Sequence, residues 1–309
     1  MPLTEFSLIY RYFSALGSGA HVELSVGDDC AIVKLADGER LATSVDTLVE
    51  GAHFFPDTFP EDIGYRAVAV AVSDLAAMGA RPLGMTIALT LPDSDELWVH
   101  AFSQGVAQAV AAYGIPLIGG DTTRGPRTIS VSVMGVLPAT GALLRSGARV
   151  GDEVYVSGTL GDAAAALHFL QGHWLPDAQS AQFLLQRFNR PTARVQLGQQ
   201  LLHLASAAID VSDGLVADLS HIANASGVGI ELDPQALPLS SVLQRHIDRK
   251  QALTWALTGG DDYELCYCIE AGRNAPSGTR IGRVVAGDGV DPGMDLPGRP
   301  GYQHFGQDH

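Results

Sequence analysis

The sequence predicts a two-domain protein of mixed strands and helices, α/β or α+β in class. Three observations carry that expectation. The chain has 309 residues, a length for two ordinary domains. Short β-rich runs and longer helical runs alternate through both halves, a pattern that periodicity alone does not divide between α/β and α+β. A stretch from Pro138 through Gly141 and Gly147 to Gly151 interrupts the alternation. The boundary is placed there, giving domains 1–140 and 141–309.

In chain order, 5–16 has the pattern of a short amphipathic helix. Residues 22–26 alternate like a strand and run into Gly27-Asp28-Asp29. Strands follow at 31–35 and 41–45, the second ending in Asp46-Thr47. Residues 66–82 are apolar almost all the way round, which predicts a core helix, and Glu61 and Asp62 are the acidic residues that favour its start. Residues 83–91 are β-rich, and Pro92-Asp93-Ser94 is placed as the cap of a helix reaching 112. A short buried strand at 115–118 leads into the glycine-rich run 119–125, read as a loop, and 128–137 alternates as a strand.

The second half predicts strands at 153–157, 207–211, 228–232, 263–269 and 281–285. Helices are expected at 163–170, 178–188, 193–205, from Asp213-Gly214 to 225, and at 240–257. The tail beyond Ala286 is rich in Gly and Pro and is expected to be irregular until Tyr302.

Composition narrows the function. The formal net charge of -15 argues against a nucleic-acid groove and an anionic membrane surface, but not against a nucleotide accompanied by a cation. Cys30, Cys266 and Cys268 form no disulfide framework and suit a reducing compartment; Cys266 and Cys268 share one face of a strand and are expected in the core. No signal-peptide run or membrane-spanning run is present, so a soluble, cytoplasmic protein is expected.

Asp74 is the anomaly. A carboxylate inside an apolar helix costs several kcal/mol unless it is protonated, paired or bound to a metal. Other acids fall at strand ends or in glycine-flanked turns: Asp28, Asp29, Asp46, Asp121, Asp210, Asp213, Asp261 and Asp262. Taken singly, Asp28, Asp213 and Asp262 are ordinary turn residues. As a set, hard oxygen donors with little His or Cys nearby point to Mg2+, Mn2+ or Ca2+ shared with phosphate groups. Lys34 and Lys250 are the only lysines and neither follows a Walker glycine pattern. The kinase glycine loop and the dinucleotide fingerprint are also missing. Metals would therefore supply most of the charge neutralisation, with Arg124 and Arg145 as cationic helpers. Ser212 has no histidine close in sequence to activate it and is assigned to ligand contact; His53 lies in a glycine-flanked loop near an acidic cluster.

The ordered set EFSLI (5–9), GDDCA (27–31), SVDTLVEGAHF (44–54), VSDLAAMGA (72–80), IGGDTTRG (118–125), SGTLGDAAA (157–165), IDVSDGL (209–215) and GGDDYELC (259–266) resembles the thiamine-monophosphate kinases. These belong to the superfamily of aminoimidazole-ribonucleotide synthetase, and the resemblance covers nearly the whole chain. It implies an N-terminal ATP- and Mg2+-binding domain whose sheet pairs with its mate's in a homodimer, followed by a C-terminal synthetase-like domain. It implies direct phosphoryl transfer from ATP to thiamine monophosphate, with several Mg2+ ions and no catalytic base or covalent nucleophile. By the same resemblance, metal would be held by Asp29, Ser44, Val45, Asp46, Asp74, Asp121, Asp210 and Asp213. ATP would meet Tyr113, Gly120, Asp121, Arg145 and Ser212, and substrate would meet His53, Asp261 and Tyr302. Asp213 thereby moves from turn residue to ligand.

Two positions depart from the family pattern. Val45 replaces a threonine, leaving a backbone carbonyl as its donor, and Asp261 replaces a glutamate, one methylene longer. Other ATP-using members of the superfamily, and a non-catalytic module that binds a nucleotide or a thiamine ester, are the alternative readings.

Overall fold

The computed structural model describes residues 5–26, 30–297 and 301–302, with side chains from Leu8 onward. The chain divides into two compact units: Met1–Leu75 with Ala80–Gly141, and Ala76–Gly79 with Ala142–His309.

The first unit opens with helix α1 (Glu5–Tyr12) and a two-stranded ribbon, β1 (Val22–Leu24) against β2 (Ile32–Val33). Strand β3 (Glu39–Val49) is followed by α2 (Pro60–Ala77), β4 (Arg81–Leu91), α3 (Glu96–Tyr113), β5 (Leu117–Arg124) and β6 (Thr128–Pro138). These strands form a four-stranded sheet in the order β3-β6-β4-β5. β6 is antiparallel to both neighbours, while β4 and β5 run parallel, joined by the α3 crossover.

α2 begins and ends earlier than the apolar run suggests. Pro60, Glu61 and Asp62 occupy its first turn, where a missing N–H and negative charge are tolerated or favoured. Gly79, at φ 70, closes it: its N–H bonds Ala76 O at 3.0 Å and that of Ala80 bonds Leu75 O at 2.8 Å, a Schellman ending. Pro82 therefore lies in β4. Every residue from Ala67 to Ser73 is buried, as an all-round apolar helix requires.

The glycine run 119–125 is not a loop. Parallel pairing with β4 carries β5 to Arg124, with Gly120 opposite Ile87. A Cβ on Gly120 would stand 2.1 Å from Ile87 O, so glycine is what lets the two backbones approach. α3 is capped by Asp95, whose carboxylate accepts from Leu97 N and Trp98 N, and not by the preceding Asp93-Ser94.

The second unit contains β7 (Glu153–Val156), α4 (Asp162–Leu170), α5 (Ala178–Asn189), α6 (Val195–Leu201), β8 (Ala205–Asp210), α7 (Leu215–Ser226), β9 (Gly229–Leu232), α8 (Ser241–His246), α9 (Arg249–Thr258), β10 (Leu265–Ile269), β11 (Thr279–Val285) and β12 (Gly289–Asp291). They build a six-stranded sheet in the order β12-β9-β11-β7-β10-β8, antiparallel except for β12 on β9. β10 is wholly buried. Cys266 and Cys268 pack into one core, and Leu265, Tyr267 and Ile269 into another, as alternation across a strand covered on both faces dictates.

The helix expected at 240–257 is two helices, because Asp248 caps a second start by accepting from Lys250 N and Gln251 N. The helix expected at 193–205 stops at Leu201, and Ala205 joins β8 instead. β12 is an element the Gly- and Pro-rich composition of the tail concealed. No helix among the described residues is long and apolar enough to cross a membrane.

Candidate functional site

In the first unit, β3 presents alternate residues to opposite faces. Ser44 and Asp46 are half-buried, while Thr43, Val45 and Thr47 are exposed. The Ser44 hydroxyl donates to Asp74 Oδ2 in a short hydrogen bond, so the polar residue of the apolar helix meets the edge strand of the sheet. Asp74 is half-buried rather than enclosed, unlike Ser73 and Leu75 beside it. The Val45 side chain points to the other face, away from Ser44 and Asp46, and is 60% exposed.

Asp121 lies apart. β3 and β5 are the two edges of the sheet, with β6 and β4 between them, so three strand spacings, about 14 Å, separate Asp46 from Asp121. The register also puts them on opposite faces: Asp46 is opposite Val131 and Ile87 follows in that row, whereas Asp121 is opposite Ala88. One metal cannot bridge these two carboxylates of a single chain. Gly120 is in the same edge strand. Asp29 lies outside the described residues. Among the described residues no group of three or more His, Cys, Asp or Glu is gathered to hold a metal.

His53 follows β3 in a turn at Gly51, and its Nδ1 accepts from Val49 N at 3.1 Å, which puts the ring proton of the neutral form on Nε2. Tyr113 ends α3, with its hydroxyl 3.2 Å from that of Tyr65 on α2. Arg124 donates through Nε to Pro92 O at 3.2 Å.

In the second unit the fold brings together residues far apart in sequence. Asp210 ends β8 and pairs with Leu265, the first residue of β10. Beyond that pair the chains stay laced. Val211 N bonds Glu264 O, Tyr263 N bonds Val211 O and Asp261 N bonds Ser212 O, each at 2.8 Å, and Tyr302 N bonds Asp213 O at 3.1 Å. Asp210, Ser212, Asp213, Asp261 and Tyr302 therefore form one locality. The backbone of Arg145 does not join it. Its carbonyl accepts from Ser226 Oγ at the far end of α7, a helix of 12 residues and about 18 Å.

Three buried carboxylates support this locality; the sequence singled out neither Asp218 nor Glu264, and counted Asp262 only within the wider set of acids. Asp218, in the first turn of α7, accepts at Oδ2 from the N–H groups of Ser212, Asp213 and Gly214 at 3.0, 3.1 and 3.1 Å. Burial pushes its carboxyl up to about 7, against those three donors. Asp262, read above as a turn residue, is 2% exposed and binds the N-terminus of α4, accepting from Gly161 N at 2.6 Å and Ala163 N at 3.2 Å. Burial raises it to about 8. Glu264 is buried between Arg187, at 3.0 Å, and Arg194, at 2.6 Å. On either side of Asp262, Asp261 (φ 66) and Tyr263 (φ 50) are the only non-glycine residues with positive φ among those described. Such backbone is held by its surroundings, here by the two buried acids. Tyr263 completes the turn by donating its hydroxyl to Asp261 Oδ1 at 3.2 Å.

Comparisons with known proteins agree along the chain. Residues 27–137 match the N-terminal domain of the AIR synthase related proteins and 149–292 match their C-terminal domain. The thiamine-monophosphate kinase of Salmonella typhimurium is 51% identical over 271 residues, covering 87% of this chain and 83% of the relative. That of Aquifex aeolicus is 38% identical over 308 residues, covering 98% of each. Among solved structures, the thiamine-monophosphate kinase of Stenotrophomonas maltophilia K279a superposes with a TM-score of 0.87 at 43% identity, over 94% of this chain and 96% of that one. AaThiL complexed with AMPPCP and TMP gives 0.81 at 36% identity, over 97% of each. Escherichia coli HypE, a hydrogenase maturation protein, shares the fold at 24% identity and a TM-score of 0.74, over 95% of this chain and 98% of that one. The chain belongs to the thiamine-monophosphate kinase family of the AIR synthase related proteins.

Proposed function

We propose that the protein transfers the terminal phosphoryl group of ATP to thiamine monophosphate, yielding thiamine diphosphate and ADP. The observation that carries this reading is full-length similarity to AaThiL, the relative complexed with an ATP analogue and TMP. The locality formed by Asp210, Ser212, Asp213, Asp261 and Tyr302 supports it. In the transfer, an oxygen of the substrate's phosphate attacks the γ-phosphorus as the bond to the bridging oxygen of ADP breaks. That oxygen is already ionised at neutral pH, so no side chain has to remove a proton.

The donor set suits Mg2+, which takes one or two carboxylates together with substrate phosphates. Ser44 and Asp74 are already paired, and Asp46 shares their face of β3. Asp29, the Val45 carbonyl, Asp121, Asp210 and Asp213 complete the proposed ligands. When bound, Mg2+ would screen the two phosphate groups from each other. Ser212, Gly120, Tyr113 and Arg145 are assigned to ATP. His53, Asp261 and Tyr302 are assigned to thiamine monophosphate. Tyr263 holds the shorter Asp261 side chain where the family has glutamate.

A cytoplasmic homodimer fits this reading. The outer face of the first unit's sheet carries Leu41 and Val45, 49% and 60% exposed, next to half-buried Ser130 and Ser132. Pairing two such sheets would cover that face and bring Asp121 of one copy toward the Asp46 edge of the other.

The deciding experiment incubates the protein with ATP, Mg2+ and thiamine monophosphate and follows thiamine diphosphate through its fluorescent derivative. Product at a rate proportional to enzyme is expected. Binding of AMPPCP without product would overturn the kinase reading in favour of a binding module.

A further inference from the structure

We propose that Asp218 is a positioning residue for the nucleotide half of the site: it fixes the backbone of the 212–214 loop, and thereby Ser212 and Asp213. The proposal rests on the kinase reading above, in which those two side chains meet ATP and metal.

Successive N–H groups converging at a helix N-terminus ordinarily make an anion cradle. The start of α7 has that form, with the N–H groups of Ser212, Asp213 and Gly214 meeting at one point. The point is already occupied by a carboxylate of the same helix, 3% exposed. A phosphate cannot enter the cradle while Asp218 fills it. Asp262 fills the start of α4 in the same way. Both helix starts next to the motif loops are thus closed to anions, as expected of a site that handles phosphate through cations.

The other side of the loop is also committed. Ser212 O accepts from Asp261 N and Asp213 O accepts from Tyr302 N. Gly214, at φ 133, leaves no space for a Cβ, which would lie 2.7 Å from Thr258 O. With its N–H groups bound inward and its carbonyls bound outward, the loop has the side chains of Ser212 and Asp213 left to meet a ligand. One side chain, Asp218, makes three of the bonds that set their direction.

Asp218→Asn keeps the shape of the side chain and replaces the anionic acceptor by a neutral amide. With the full-length variant folded by circular dichroism, its calorimetric affinity for AMPPCP in Mg2+ is expected to fall about 10-fold, the worth of the weakened hydrogen bonds. Affinity for thiamine monophosphate alone should fall less than that for AMPPCP, because Asp261 and Tyr302 meet the loop through their backbone N–H groups. Ser212→Ala should weaken AMPPCP in the wild-type background and cost nothing further in Asp218→Asn, because the two act in series. Unchanged AMPPCP affinity, or an equal cost of Ser212→Ala in both backgrounds, would overturn the proposal. Gly214→Ala displaces the same loop while leaving Asp218 intact. It should show the same nucleotide-selective loss even if Asp218→Asn fails to fold, and equal loss of both ligands would count against the proposal. Turnover of thiamine monophosphate by the wild-type protein tests the kinase reading separately.

Discussion

The hydroxyl of Ser44 on β3 donates to the carboxylate of Asp74 on α2, across 30 residues of sequence. This pair explains how an acid is accommodated in a helix whose preceding turns are entirely buried. Asp74 emerges at the sheet edge, where hydroxyl and carboxylate stand together. Asp74→Asn retains an acceptor for Ser44 but removes the charge. Its kcat in saturating Mg2+ should fall roughly 100-fold or more, the scale for losing one charge-stabilising group. Full activity in a steady-state assay would show that Asp74 only supports the helix.

Asp46 and Asp121 occupy opposite edges and opposite faces of one sheet, so a single metal could join them only across two copies. Asp46→Asn and Asp121→Asn should each be inactive alone. Mixed, unfolded and refolded together, they should regain about a quarter of wild-type activity, since random pairing leaves one intact site in half of the dimers. No recovery, with subunit exchange verified, would place both residues in a site within one chain.

Leu41→Asp puts a charge on the exposed sheet face opposite α2. Light scattering should find the wild type dimeric and the variant monomeric, with an unchanged circular dichroism spectrum. A dimer that persists would move the interface elsewhere.

Glu264 separates two guanidinium groups, and its side chain is 1% exposed. Glu264→Gln removes the counter-charge that Arg187 and Arg194 share, while Arg187 keeps Asp162, whose Oδ2 lies 3.4 Å from its Nε. Urea denaturation should show a loss of roughly 3–5 kcal/mol, the scale for breaking a buried ion pair from one side. A loss below about 1 kcal/mol would mean that the arginines find other partners.

Burial raises Asp262 to about 8. A folded pKa above the unfolded one means that the native state holds the extra proton between about 4 and about 8. This contribution is complete below about 4 and is lost as pH rises through about 8. Stability should therefore decline across that window, by at most about 1.4 kcal/mol per pH unit from this group. Asp262→Asn should flatten the decline in denaturation midpoints measured from pH 5 to 9. An identical slope in the variant would assign the proton elsewhere.

Local pattern accounts for much of what the sequence made legible. The alternation of β6, the apolar circumference of α2 and the shared face of Cys266 and Cys268 follow from periods of 2 and 3.6 residues, which the chain carries in itself. The motif set identified the family, because residues with chemistry stand at fixed distances from glycines and strand ends.

Pairing between distant segments decided the rest. β5 runs through two glycines because β4 lies alongside, and β12 exists because β9 offers it an edge. Asp218 and Asp262 have the composition of turn residues, and only the backbone N–H groups that converge on them distinguish an anchor from a surface acid. The sequence by itself determined which residue types were available and the family they belong to. The tertiary structure decided which of them meet, that Asp46 and Asp121 of one chain do not, and that Asp261 is held in left-handed backbone. The physical reason is that hydrogen-bond partners, burial and strand order depend on contacts between segments far apart in the chain, which no local spacing encodes.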